Sequence, residues 1–203
     1  MTDEMSRETF FELLRGLPLS DRSQVQVAYW LARNAHHDQT PRDNGDDYFE
    51  HPRQVAVILI KRGYRDKNIV TLALLHDVVE DTNTPLGVIV DLFPDVVWKW
   101  LYVLSKSAPF FDPITGQLHD RTKKPVDKYY AAISAEDPPV RLVKLADRLH
   151  NLGTMSLWDQ ARRDKYLAET EQYILPIAEQ TDPWFAEEIG KAIAAARRIA
   201  TAT

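Results

Sequence analysis

Asp66-Lys-Asn-Ile-Val-Thr-Leu-Ala-Leu-Leu-His-Asp-Val-Val-Glu-Asp81 carries apolar side chains on every side of a helix: Ile69, Val70, Leu72, Ala73, Leu74, Leu75, Val78 and Val79. A helix that is apolar all round belongs in a core, so the spacing predicts a central helix over 66–81. At ~100° per residue, His76 falls on the stripe of Ile69, Leu72 and Ala73, with Glu80 one turn beyond it. Asp77 and Asp81 form a second i,i+4 pair beside that stripe. Ionisable groups therefore crowd the end of a helix expected to be buried, where charge without a partner is costly. The acids also sit at the negative end of the helix dipole. A bound cation would offset both penalties. A solvated helix end running into Thr82 is the other reading of Glu80-Asp81.

Outward from this segment the pattern stays helical. Apolar residues recur at helical spacing almost throughout, without the evenly spaced, Gly-punctuated strands of a sandwich or barrel. This predicts an all-α fold, a helical bundle of about eight to ten helices. Helices near 6–15 and 21–36 are separated by Gly16-Leu17-Pro18, and a polar loop runs from His37 to Glu50. Pro52 then opens a helix with Val55, Ile58 and Leu59 as its buried stripe and Gly63 as its stop, which puts His51 at a helix entrance. Thr84-Pro85 opens a short helix that Phe93-Pro94 closes, and Asp95 to about Lys106 forms another. Residues 107–124, rich in Pro, Gly and charge, read as a long loop. Helices near 125–135, 139–152, 160–180 and 183–200 complete the series. With neither repeat nor linker, the chain reads as one domain over residues 1–203.

Composition narrows the chemistry. The 203 residues are 44% hydrophobic and 27% charged, with no cysteine. Thiolate metal sites, disulfides and cysteine nucleophiles are thereby excluded, and any metal must be held by His, Asp and Glu. A net charge of -5 gives no general attraction for nucleic acid or anionic membrane, so an anionic ligand needs a local cluster of Arg and Lys. No apolar run approaches the ~18 residues of a membrane span. Met1-Thr-Asp-Glu-Met5 carries acids where a secretory leader carries bases, so a cytoplasmic location is expected.

A second informative stretch is Val140-Arg-Leu-Val-Lys-Leu-Ala-Asp-Arg-Leu-His-Asn151. Leu142, Leu145, Leu149 and Leu152 form its main stripe, and Asp147 lies almost opposite, flanked by Val143 and Ala146. Lys144 and Asn151 sit one turn before and after Asp147. That pattern fits a solvated aspartate and an aspartate facing a cleft equally well.

Taken together, His51, His76-Asp77 and Asp147 resemble the metal signature of the HD phosphohydrolase superfamily. Tyr48-Phe-Glu-His-Pro52, Ala73-Leu-Leu-His-Asp-Val-Val-Glu-Asp-Thr82 and Val143-Lys-Leu-Ala-Asp-Arg-Leu-His-Asn-Leu152 are similar, in order and separation, to the hydrolase domain of RelA/SpoT homologues. The resemblance runs from about residue 42 to 179, with extra helices at both ends, and is of the small alarmone hydrolase type. It implies removal of the 3′-diphosphate of guanosine tetra- or pentaphosphate, giving pyrophosphate and GDP or GTP. It implies one divalent metal per chain, Mn²⁺, held by His51, His76, Asp77 and Asp147, with Glu80 and Asp81 as the catalytic acidic pair. Chemistry alone leaves Mn²⁺, Fe²⁺ and Zn²⁺ open for two imidazoles and two carboxylates. HD proteins with two metals generally add histidines before the last aspartate, and only His119 lies between Asp81 and Asp147 here.

The same resemblance assigns substrate contacts. Arg42, nine residues before His51, matches an arginine that packs on the base, although Asp43-Asn44 follow it where the family commonly has a base or a small residue. Lys144 and Asn151 match positions near ribose and phosphate, Thr154 extends that wall, and Lys106 matches a lysine after the preceding helix. Arg162 and Tyr166, at i,i+4, match a clamp on the 5′-phosphates, and Arg121-Thr-Lys-Lys124 offers a basic lid. Each of these also reads as an ordinary surface residue. Two other functions fit the sequence: an HD hydrolase of adenosine alarmones or another nucleotide, and an alarmone-binding or antitoxin-like regulator partnered with a toxic synthetase.

Overall fold

Ile69 to Leu75 are all buried, and the rest of the chain wraps around them. In this computed structural model, which describes residues 7–111 and 118–200 (backbone alone for 108–111, 118–122, 199 and 200), that segment is helix α4 (Lys67–Leu75). Asp66 caps it, its side chain accepting from the backbone N–H groups of Asn68 and Ile69. Before it come α1 (Arg7–Glu12), α2 (Leu19–Ala35) and α3 (Glu50–Arg62); after it come α5 (Val78–Asp81), α6 (Leu86–Leu92) and α7 (Asp95–Leu104). The second half holds α8 (Val126–Ala135), α9 (Pro138–Thr154), α10 (Gln160–Glu169), α11 (Leu175–Thr181) and α12 (Pro183–Ala200). Helices α2, α3, α7 and α9 pack directly on α4, and α9 in turn packs on α3, α11 and α12. The all-α expectation holds. Leu72, Leu74 and Leu75 have no exposed surface, and truncating any one of them to Ala would cost about 2–5 kcal/mol.

Three elements differ from the sequence expectation. The helix expected over 66–81 is interrupted at His76-Asp77, where Asp77 adopts φ −99°, ψ −9°, the bridge region in which many active-site residues sit. The interruption leaves α4 and α5 as separate pieces. The expected loop at 107–124 contains an antiparallel ribbon, β1 (Ser107–Phe111) against β2 (Leu118–Lys123), in register from Ser107↔Lys123 to Phe110↔Asp120. Both strands of a two-stranded ribbon are edges, so Pro109 does not prevent pairing. Finally, the helix expected over 160–180 carries a π-helical turn, Thr170–Ile174, between α10 and α11. Pro176 follows it; the proline ring has no N–H to give Gln172 and would collide with its carbonyl, and the widened turn accommodates both.

Gly63 ends α3 in the left-handed conformation at φ 102°, with the Tyr64 N–H reaching back to the Leu59 carbonyl at 2.9 Å. Among the described residues no helix is long and apolar enough to cross a membrane.

Candidate active site

His51 lies in the first turn of α3, His76 and Asp77 form the break between α4 and α5, and Asp147 lies in the middle of α9. These separate segments aim their polar atoms at one point. His51 Nε2 is 3.3 Å from His76 Nε2, 3.5 Å from Asp77 Oδ2 and 3.2 Å from Asp147 Oδ1. His76 Nε2 is 3.3 Å from Asp77 Oδ1 and 3.9 Å from Asp147 Oδ1. Metal–ligand bonds of about 2.1 Å place neighbouring donors ~3 Å apart, so the spacing suits one divalent cation. His51, His76 and Asp77 form a compact donor group within 4.8 Å, and Asp147 reaches it through the two imidazoles.

Electrostatics point the same way. Burial, and then the Asp81, Asp147 and Glu80 carboxylates working against the pull of His76, push the Asp77 carboxyl up to about 6. Such a strained cluster of acids is what a cation relieves. Burial holds the His51 imidazole well below its usual value, keeping it neutral with a lone pair to offer. His76 donates from Nδ1 to the Ala73 carbonyl at 2.8 Å, which leaves its Nε2 as the acceptor. His51 Nδ1 meets His150 Nδ1 at 2.8 Å, and burial followed by the Arg42 charge pushes His150 down to about 4.

Asp147 is held from both sides. Its Oδ2 accepts from the Lys144 ammonium at 2.7 Å and its Oδ1 from the Asn151 amide at 2.6 Å. Burial opposes the charge on both partners of the Lys144–Asp147 pair, but their mutual attraction, added to that of His51 and His76 on Asp147 and of Tyr129 and Tyr130 on Lys144, outweighs it, holding Asp147 well below and Lys144 well above their usual values. Asn151 Oδ1 accepts from Arg42 Nη2 at 2.6 Å, so a hydrogen-bonded chain runs from Arg42 through Asn151 to Asp147.

The acidic pair is fixed one turn past the break. Glu80 Oε2 accepts from the Lys106 backbone N–H at 3.0 Å. Asp81 Oδ2 accepts from the Tyr48 hydroxyl at 2.5 Å, and its carbonyl accepts from Gln39 Nε2 at 2.5 Å. Tyr48 is itself stacked on His36, with centroids 4.9 Å apart and planes at 17°.

One cleft joins these parts. It holds about 260 Å³ and is open to solvent, just below the ~300–1,000 Å³ of typical ligand pockets, so a nucleotide seated there would keep part of its surface in water. Arg42, His51, His76, Asp77, Glu80, Asp81, Lys106, Lys144, Asp147, Asn151, Arg162 and Tyr166 all line it. Of the two readings of Asp147, the buried, cleft-facing one holds. Thr154 does not join the lining: it is the last residue of α9, and its hydroxyl is turned back to the His150 and Asn151 carbonyls at 3.4 and 3.3 Å. Of the basic lid, Lys124 directs its ammonium to the Tyr102 carbonyl at 2.7 Å, while the side chains of Arg121 and His119 lie outside the described residues.

Three contributors, Tyr48, His150 and Trp158, were not singled out from sequence, and Asp43 was noted there only as a departure from the family pattern. Tyr48 and His150 lie inside the quoted motifs, three residues from His51 and from Asp147, a spacing that could have flagged them. Trp158 lines the cleft and carries the Arg162 guanidinium 3.8 Å over its ring. Asp43, next to Arg42, forms an ion pair with Arg162 at 3.0 Å.

Known proteins resemble this chain in sequence and in fold. The HD domain family matches residues 28–184. The chain is 32% identical over 183 residues to a guanosine-3′,5′-bis(diphosphate) 3′-pyrophosphohydrolase of Aquifex aeolicus, covering 89% of this chain and 25% of that protein. It is 37% identical over 166 residues to the GTP pyrophosphokinase rsh of Brucella melitensis, covering 79% and 21% respectively. It thus spans about a quarter of the length of these curated relatives or less. A solved structure described as a metazoan ortholog of SpoT that hydrolyzes ppGpp superimposes with a TM-score of 0.71 at 21% identity, covering 85% of this chain and 95% of that one, which establishes the shared fold. The match over 28–184 takes in all four metal-ligand candidates and the acidic pair, and the chain belongs to the HD domain family.

Proposed function

We propose that this chain is a metal-dependent hydrolase that removes the 3′-diphosphate of guanosine tetra- or pentaphosphate as pyrophosphate, leaving GDP or GTP. The observation that carries the reading is a single cleft holding a buried His/Asp donor set, an acidic pair one turn away and a rim of cations. His51, His76, Asp77 and Asp147 would hold one divalent ion, with Mn²⁺ the proposed metal. When bound, the ion supplies Lewis acidity toward the phosphate and lowers the pKa of a water at the site.

The chain's own groups do the rest. Arg42 presents a planar guanidinium for the base, steadied by Asn151 and lying 5.6 Å from the Tyr48 ring centroid. Lys106 and Arg162 face the phosphates. Glu80 and Asp81 orient the attacking water and take its proton as its oxygen bonds to the phosphorus on O3′. The O3′–P bond breaks and O3′ leaves with the proton that the acidic pair took from the water. The whole span of 203 residues acts as one such domain in the cytoplasm. If a toxic alarmone synthetase is its partner, co-expression of this chain relieves the growth arrest that enzyme causes.

The test offers purified protein ppGpp, pppGpp, ppApp and deoxynucleoside monophosphates with Mn²⁺, and repeats each with Asp77→Ala. Pyrophosphate appears from the guanosine alarmones and disappears in the variant. Release from ppApp instead would move the assignment to adenine, which the Asp43-Asn44 departure keeps in view. Binding without release would make the protein a regulator.

A further inference from the structure

His51 and His76 orient their rings by different means. His76 uses a carbonyl of its own helix, that of Ala73, three residues back. His51 uses a side chain from another helix, His150 of α9, 99 residues away in sequence. At 2.8 Å only one proton fits between His51 Nδ1 and His150 Nδ1. The chemistry of the site decides whose it is. His51 Nε2 faces the convergence point, 3.2 Å from Asp147 and 3.3 Å from His76. An imidazole that offers its Nε2 lone pair to a cation carries its proton on Nδ1. His150 must therefore accept through Nδ1 and keep its own proton on Nε2.

We propose that His150 is a positioning residue that fixes the tautomer and ring orientation of His51 for metal binding. The proposal rests on the metal reading of the cleft given above. It gives α9 two duties, because Asp147 and His150 lie three residues apart on one face of the helix. One supplies a donor to the cation, and the other supplies the acceptor behind a donor from α3. The rings of His51 and His150 lie 4.8 Å apart at 47°, so their contact is a hydrogen bond in which the acceptor atom, rather than the ring face, matters.

Substitution separates the two contributions. Asparagine carries its carbonyl oxygen on the carbon to which histidine attaches Nδ1, so His150→Asn keeps an acceptor in nearly the same place. His150→Phe keeps the ring and loses the acceptor. Zn²⁺ titration by calorimetry is expected to show binding weakened about 10–100-fold in His150→Phe, the usual cost of losing a partner behind a ligand, and near wild type in His150→Asn. In the Zn²⁺-loaded wild-type protein, ¹⁵N-histidine NMR should find His150 as the Nε2–H tautomer and His51 as the Nδ1–H tautomer. Equal loss in both variants would assign His150 to packing and overturn the proposal. So would unchanged binding in His150→Phe, or an Nδ1–H tautomer at His150 in the wild-type spectrum, a result independent of how the variants fold. A wild-type protein that takes up no Zn²⁺ would overturn the metal reading as well.

Discussion

At its inner end the cleft presents His51, His76 and Asp147 with less than a tenth of their surface exposed, His51 braced by a hydrogen bond from α9 and His76 and Asp147 each braced by a hydrogen bond within the helical segment that bears it. At its mouth Arg162 and Asp43 face one another with side chains 53% and 50% exposed. The inner groups were desolvated when the protein folded, so they can act on a ligand without first shedding water. The mouth groups trade partners with solvent at little cost. Rigid chemistry and adjustable recognition thus occupy opposite ends of one cleft.

The inner end suffers most from Asp77→Ala, which removes one of its carboxylates. Pyrophosphate release should fall to background and metal uptake should be lost. Next in size is Lys144→Met, which leaves Asp147 buried without its ammonium. Breaking a buried pair in this way costs about 3–5 kcal/mol, read by denaturant unfolding of metal-free protein. Added Mn²⁺ should recover much of that loss, because a ligand at 100 times its Kd returns ~2.7 kcal/mol. At the mouth, Asp43→Asn frees Arg162 for phosphate. KM should fall by no more than about fivefold, the reach of a ~1 kcal/mol exposed pair, with kcat unchanged and the gain vanishing at high salt.

The smallest effect comes from an ion pair outside the cleft. Asp182 accepts from Arg62 at 3.0 Å twice and from Tyr64 at 2.8 Å, and these bonds hold its carboxyl below the ordinary 3.8. A carboxyl depressed in the folded state contributes stability that is complete above its unfolded value and drains away as pH falls through the folded one. Thermal unfolding from pH 6 to pH 2 should therefore show an acid-side loss that Asp182→Asn lacks.

Much of the inner end was legible because it rests on residues that are expensive to bury. His76, Asp77 and Glu80 stood out against the apolar surroundings of 66–81, and resemblance supplied the distant His51 and Asp147. Amphipathicity could not choose the face of Asp147, since α9 is buried on both sides and a cleft-facing aspartate and a solvated one leave the same pattern. The break at His76-Asp77 was not legible, because the apolar run continues through Val78 and Val79 and neither Gly nor Pro marks the interruption. Nor was the ribbon at 107–124, where Pro109 and scattered charge conceal a pairing made by backbone alone. The His51–His150 contact spans 99 residues and follows only from the packing of α3 on α9.

The gap between α4 and α5 carries a lesson for anyone wishing to toughen this protein against heat. Design rules would fill such a gap with strong helix formers and join the two pieces into one rod. In a continuous rod neighbouring side chains diverge by ~100°, whereas His76 Nε2 and Asp77 Oδ1 meet at 3.3 Å. Straightening the segment would raise the melting point and pull apart the two side chains for which the bend exists, so sturdiness and activity compete at these two positions.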